Sequence, residues 1–299
     1  MSISLLELID IMRHLSFIHY EILLIMEKSL RRFEYVPLQY IAKKVRIKPN
    51  KLEEIMDFLL KYKLVKKKQE EYIGYALTYK GLDAIALRSL SMYGVITKVG
   101  PKIGVGKEGD IWITYFDNEP RILKLYRISK ECFRRIRVYR YYYMPNKVYS
   151  WYQLAFRSAQ REFRALTVLY NAGVHVPKPI ARSRHAIVMD YIDGVELVKA
   201  RLLNPLDTFS KIIREIVKAY KVGIVHADLS EFNVLVTRGG EVYLIDFPQY
   251  IVSSKPEAIK YLTEDLARIV NYFRKKYRID PNDLKRIINE ILKEEGVKI

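Results

Sequence analysis

Late in the chain two short apolar runs, Val234-Leu235-Val236 and Val242-Tyr243-Leu244-Ile245, flank the turn residues Arg238-Gly239-Gly240-Glu241, a pattern that predicts a β-hairpin. Asn233 stands just before the first run and Asp246 just after the second, so a hairpin brings both to its open end. Asp228 precedes Asn233 by five residues and Asp246 by eighteen. Three such side chains at this spacing suit transfer of a phosphoryl group. Negative charge spreads over the oxygens of that group in flight, and it is met by a divalent cation on hard oxygen ligands and a carboxylate that positions the acceptor. Asn233 and Asp246 fit the metal role and Asp228 the positioning role. Taken singly, a loop Asp or Asn more often only caps a turn.

The remaining chain limits where such a site can work. Its 299 residues allow two domains, and its +18 formal charge, with a pI near 9.6, favours a polyanionic partner over acidic small substrates. The charge is local, because residues 121–164 hold twelve Lys or Arg against Glu131 and Glu162. Cys132 is alone, which excludes an intrachain disulfide and suits a reducing compartment. No uninterrupted apolar stretch approaches a membrane span, so a soluble, cytoplasmic protein without a membrane partner is expected.

Residues 1–93 read as helices followed by a hairpin. Pro37 opens a short helix through Lys44, Arg46-Ile47-Lys48 turns, and Pro49-Asn50 opens a second helix striped by Leu52, Ile55, Met56, Leu59 and Leu60. Two strands, Leu64–Lys68 and Tyr72–Leu77, and a helix over Lys80–Leu90 complete the order of a winged helix. Glu53, Glu54 and Asp57 line the outer face of the would-be recognition helix and oppose major-groove reading. Lys43, Lys44, Arg46, Lys48, Lys51 and Lys66 to Lys68 could instead grip a phosphate backbone, which favours folded RNA. A purely protein-binding winged helix is the alternative.

After Tyr93 the pattern turns to strands. Gly104, Val105, Gly106, Lys107, Glu108 and Gly109 form a GxGxxG loop, followed by the β-branched and aromatic run Ile111–Tyr115. A dinucleotide-binding loop opens a helix, whereas this one predicts a hairpin folded over phosphates. Lys124, fifteen residues after Gly109 on an apolar strand, needs a counter-ion, and Glu162 is the only carboxylate between Glu131 and Asp190. Glu162 lies on a helix expected over Phe156–Tyr170. Ala186–Met189 reads as a buried strand entering a connection at 190–194; likeness to a kinase fold would make this the hinge and imply that Met189, Tyr191 and Ile192 meet an adenine, while the sequence by itself favours Met189 as core.

Together GVGKEGDI, ILKLYR, QREF, HADLSEFN and LIDFPQ resemble the RIO family of atypical protein kinases, and the N-terminal winged helix resembles its winged-helix-bearing branch. The resemblance spans essentially the whole chain. It implies an α/β (α+β) fold: a winged helix-turn-helix domain at 1–93, then a reduced two-lobed kinase-like domain at 94–299, with an N-lobe at 94–189, a hinge at 190–194 and a C-lobe at 195–299. It implies ATP under Gly104–Gly109, Lys124 on the phosphates, Asp228 as the catalytic Asp, and Mg2+ or Mn2+ on Asn233 and Asp246. Activity as an atypical serine/threonine kinase or ATPase, through Ser autophosphorylation or hydrolysis, is implied as well. So are a role in maturing the small ribosomal subunit and partnership with its precursor and rRNA.

The chain departs from ordinary protein kinases at several points. Ala227 replaces the Arg that precedes the catalytic Asp, Pro248 replaces the Gly of a DFG turn, and only 53 residues follow Asp246, too few for a full peptide-docking lobe. Gly109 stands where the branch commonly has Ser. Within 121–164, Arg134, Arg135, Arg137, Arg140 and Lys147 interleave with Tyr139, Tyr141 to Tyr143, Tyr149, Trp151 and Tyr152. Such a stretch suits phosphate contact and base stacking, or equally an insertion whose rings pack on the lobe. Two further readings remain, an ATP-binding RNA or ribosome scaffold and a small-molecule phosphotransferase, which shares the HxDxxxxN loop.

Overall fold

The computed structural model describes residues 4–106, 109–128 and 151–297. They divide into two units, Met1–Lys102 with Thr114–Asn118 and Ile103–Ile113 with Glu119–Ile299, so the division passes through one hairpin.

In the first unit the order is α1 (Leu5–Met12), α2 (Phe17–Ser29), β1 (Val36–Pro37), α3 (Leu38–Val45), α4 (Pro49–Lys61), β2 (Val65–Gln69), β3 (Ile73–Leu77) and α5 (Tyr79–Met92). Ser4 and Glu7 cap α1 reciprocally, and Pro49 begins α4 where a missing N–H costs nothing. Leu52, Ile55, Met56 and Leu59 are buried and Leu60 half-buried, whereas Glu53, Glu54 and Asp57 point to solvent. Strands order as β1-β3-β2, with Val36 opposite Tyr75 and Pro37 opposite Gly74. The hydroxyl of Thr78 accepts from Gly81 N at 3.2 Å and donates to Lys63 O at 2.7 Å, fastening the start of α5 to the chain before β2. A Cβ at Gly81 would stand 2.3 Å from Leu64 O, so only glycine lets that first turn seat there.

Next come β4 (Lys98–Gly106), β5 (Gly109–Phe116), β6 (Glu119–Tyr126), α6 (Trp151–Asn171), β7 (Pro179–Ser183) and β8 (Ala186–Asp190). The sheet order is β4-β5-β6-β8-β7, and β6 pairs with β8 so that Lys124 faces Ile187 and Ile122 faces Met189. Helix α6 is already helical at Trp151, five residues before the expected Phe156, because Leu154 and Ala155, both buried, extend its apolar stripe.

The rest of the second unit holds β9 (Gly194–Glu196), α7 (Pro205–Lys221), β10 (Ile224–Val225), β11 (Val234–Thr237), β12 (Val242–Leu244), β13 (Ile251–Val252), α8 (Ala258–Tyr277) and α9 (Pro281–Glu294). Strands β12, β11 and β9 form one small sheet, while β10 and β13 form another. Asn204 caps α7 by accepting from Asp207 N at 3.2 Å, and the helix buries Phe209, Ile212, Ile213 and Ile216. Among the described residues no helix is long and apolar enough to cross a membrane.

Candidate active site

The β11–β12 hairpin forms in the register its apolar runs demand, Val234 opposite Leu244 and Val236 opposite Val242. One step further out Ile245 N donates to Asn233 O at 3.0 Å, which sets Asn233 and Asp246 at the open end of the ladder. The Asn233 amide nitrogen donates to Asp228 O at 2.9 Å, so the loop from 228 to 233 is tied across its own base. The first bond continues the hairpin, and the second belongs to the loop that leads into it.

Lys124 is carried into the same place by β6. Leu123 and Leu125 are fully buried on either side, and the Lys124 ammonium, itself buried, lies 2.8 Å from Glu162 Oε2 and 2.6 Å from Asp246 Oδ1. Burial alone would push this ammonium's pKa down; the facing carboxylates of Asp246 and Glu162 outweigh it and hold the pKa above the ordinary lysine value. Lys124 therefore stays charged throughout the physiological range. The contact with Asp246 has no sequence signal, since it joins residues 122 apart.

Two residues at the site take left-handed backbone although neither is glycine, Ala227 at φ 66° and Asp246 at φ 71°. Each such residue costs on the order of 1–2 kcal/mol unless its surroundings hold it. Asp265 on α8, almost wholly buried, accepts from Ala227 N at 2.8 Å and Leu229 N at 2.9 Å, while Arg268 donates to Asp265 at 3.0 Å. His226 Nε2 lies 2.9 Å from Ile245 O and its ring packs 4.4 Å from that of Phe247, which is fully buried. The loop around Asp228 is thus held from α8 and the strand exit from His226.

Sequence reasoning passed over Asp265 and Arg161. The signal for Asp265 was present: it sits between Leu262 and Ile269 on the apolar stripe of α8, where a carboxylate has to be addressed by donors. Arg161 neighbours Glu162 on α6, and its Nε donates to Pro248 O at 3.1 Å.

The other expected site residues lie around this centre. Gly104, Val105 and Gly106 end β4 and Gly109 begins β5, so the loop joins two strands and opens no helix; Lys107 and Glu108 lie outside the described residues. A Cβ at Gly109 would meet Leu125 O at 2.3 Å, which explains glycine at that position of this chain. Met189 ends up buried on β8, whereas Tyr191 is exposed and Ile192 half-buried in the connection to β9. Of the basic and aromatic stretch at 121–164, residues 129–150 lie outside the described residues.

The donor set fits a magnesium ion shared with a nucleotide. With its nitrogen engaged by Asp228 O, Asn233 keeps its amide oxygen as a neutral hard donor, and Asp246 adds a carboxylate. Among the described residues no cluster of three or more His, Cys, Asp or Glu forms a metal cage. A Mg2+ or Mn2+ whose coordination is completed by phosphates needs only such a pair.

Comparison with known proteins identifies the family. The family model for the RIO domain matches residues 110–285 and the model for the Rio2 N-terminal region matches 12–92. The RIO-type serine/threonine-protein kinase Rio2 of Methanocaldococcus jannaschii is 36% identical over 269 residues, which are 88% of this chain and 98% of that one. The rio2 kinase of Schizosaccharomyces pombe is 34% identical over 273 residues, covering 90% and 79%. Among solved structures, the Rio2 kinase–ADP/Mg2+–phosphoaspartate complex of Chaetomium thermophilum superposes with a TM-score of 0.78 at 29% identity, over 95% of this chain and 92% of that one.

Proposed function

The chain belongs to the RIO kinase family, in its Rio2 branch, and from that premise we propose that it transfers the γ-phosphoryl group of ATP to a serine, its own included, or to water, during maturation of the small ribosomal subunit in the cytoplasm. The observation that carries the reading is the convergence of Lys124, Asp228, Asn233 and Asp246, joined by the Lys124–Asp246 and Asn233–Asp228 bonds. Lys124 holds the phosphates and Glu162 keeps its ammonium aimed. Asp228 accepts a hydrogen bond from the attacking hydroxyl and so orients it toward phosphorus. Asn233 and Asp246 would hold Mg2+, whose charge, when it is bound, offsets that developing on the phosphate oxygens.

Acceptor choice follows from what surrounds the site. Only residues 247–257 separate Asp246 from α8, which favours self or water over an extended peptide. The phosphoaspartate of the Chaetomium thermophilum complex suggests a second route to water, in which a carboxylate attacks the γ-phosphorus as ADP leaves and water then cleaves the aspartyl phosphate to carboxylate and phosphate. In Asp228→Ala, phosphotransfer and ATP hydrolysis should fall about a hundredfold or more while nucleotide binding persists. An ATP-binding scaffold would keep binding and releasing subunit precursors in that variant, which would remove the catalytic reading of its biological role.

RNA as partner is supported by the exposed amines of Lys43, Lys44, Lys48, Lys51 and Lys66 to Lys68, two of which stand 4.9 and 5.7 Å from the Tyr35 ring centroid. The basic and aromatic stretch at 121–164 adds stacking groups to the same reading. Crosslinking the protein to cellular RNA should map chiefly to small-subunit precursor rRNA. Crosslinks scattered over unrelated RNAs would leave the ribosomal partner without support.

A further inference from the structure

We propose that Arg161 is a positioning residue for phosphoryl transfer, closing a ring of contacts that fixes Asp246 relative to Lys124. The ring can be followed atom by atom. Lys124 Nζ meets Glu162 Oε2 at 2.8 Å on α6; the preceding residue on that helix, Arg161, donates from Nε to Pro248 O at 3.1 Å and from Nη2 to Tyr250 O. From Pro248 the chain runs back through Phe247 to Asp246, whose Oδ1 is 2.6 Å from Lys124 Nζ. The Arg161 guanidinium also stacks 4.4 Å from the Tyr250 ring centroid.

Each part of that ring needs the chemistry present. Two carbonyls and a ring face are engaged by one planar fork, which a lysine point charge cannot match. Asp246 is in left-handed backbone and the buried Phe247 follows it, so the segment has a preferred path only while both flanks are held. Helix α6 therefore cannot swing away without releasing Glu162 from Lys124 and Arg161 from the chain beyond Asp246 together. An arginine serving only to fasten α6 would affect stability and leave the metal requirement alone; an arginine in the ring sets where Asp246 presents its oxygen.

The inference rests on the phosphoryl-transfer reading, whose own failure would appear as absent turnover in the unmodified protein. The test measures Mg2+-dependent ATP turnover and thermal melting of full-length Arg161→Gln, Glu162→Gln and the double variant. Arg161→Gln should lower kcat/KM about tenfold and raise the Mg2+ needed for half-maximal rate severalfold, with little change in melting. The double variant should be scarcely worse than the poorer single one, because either change opens the same ring. Arg161→Lys should recover only part of the loss. If Arg161→Gln does not fold, Arg161→Lys carries the comparison, with a raised Mg2+ requirement and non-additivity with Glu162→Gln expected. Unchanged Mg2+ dependence, or losses that multiply in the double variant, would overturn the proposal.

Discussion

Asp246→Ala loses ATP turnover by about a thousandfold or more while the protein stays folded. The size follows from removing the proposed metal ligand and the Oδ1 that faces Lys124 at 2.6 Å, so that the cation and the ammonium meant to meet the developing negative charge both lose a holder; one such electrostatic contact is worth about 3–4 kcal/mol. Folding survives because Lys124, though buried, keeps Glu162 at 2.8 Å. Alanine in left-handed backbone adds on the order of 1 kcal/mol of strain, whereas asparagine tolerates that backbone better. Asp246→Asn should therefore melt near the native temperature and still lose most turnover. Phosphate release measured with saturating ATP and Mg2+ decides the matter, and a rate within tenfold of the native enzyme would remove Asp246 from the site.

The second large effect concerns a residue that meets no substrate. Asp265→Ala strips acceptors from Ala227 N and Leu229 N and removes one of the partners of Arg268. Each orphaned buried donor costs about 1–3 kcal/mol, so a loss of about 3–5 kcal/mol of stability is expected, with turnover falling at least about a hundredfold as Asp228 loses its fixed loop. Urea unfolding measures the first quantity and ATP hydrolysis the second. A pH series adds a sign. Burial raises the Asp265 pKa, although His226, the backbone N–H groups and Arg268 pull it down, so the folded protein binds this proton more tightly than the unfolded chain. The proton-linked part of this group's contribution to stability is fully present below the unfolded value of about 4 and is lost as pH rises through the raised folded value. Asp265→Asn should remove that slope. A variant whose stability differs from native by the same amount at every acidic pH would show that Asp265 does not titrate with folding.

What was legible in the chain was local chemistry. Short apolar runs around Gly239-Gly240 specified the hairpin and hence the meeting of Asn233 with Asp246, and the Pro49 start with its apolar stripe specified α4. The strands Val36–Pro37, Ile224–Val225 and Ile251–Val252 were not legible, since two residues show no period and each is defined by a partner elsewhere in the chain. Glu162 could be reached by elimination. The Lys124–Asp246 contact and the two carbonyls held by Arg161 could not, because nothing local requires them. Asp265 lies between these cases: its burial is written in helical spacing, but its partners are backbone N–H groups that no side-chain pattern announces.

Phe247 bears on inhibitor design. Its ring is wholly buried and lies 4.4 Å from His226, and Arg161 holds the chain beyond it. A compound that must rotate Phe247 outward would expose about 2–3 kcal/mol of aromatic surface and break the Arg161 contacts besides, a handicap of at least about thirtyfold in affinity before any new contact forms. Drug-like selectivity against this protein is better sought in ligands that accept the inward ring and draw their discrimination from the exposed Tyr191 edge.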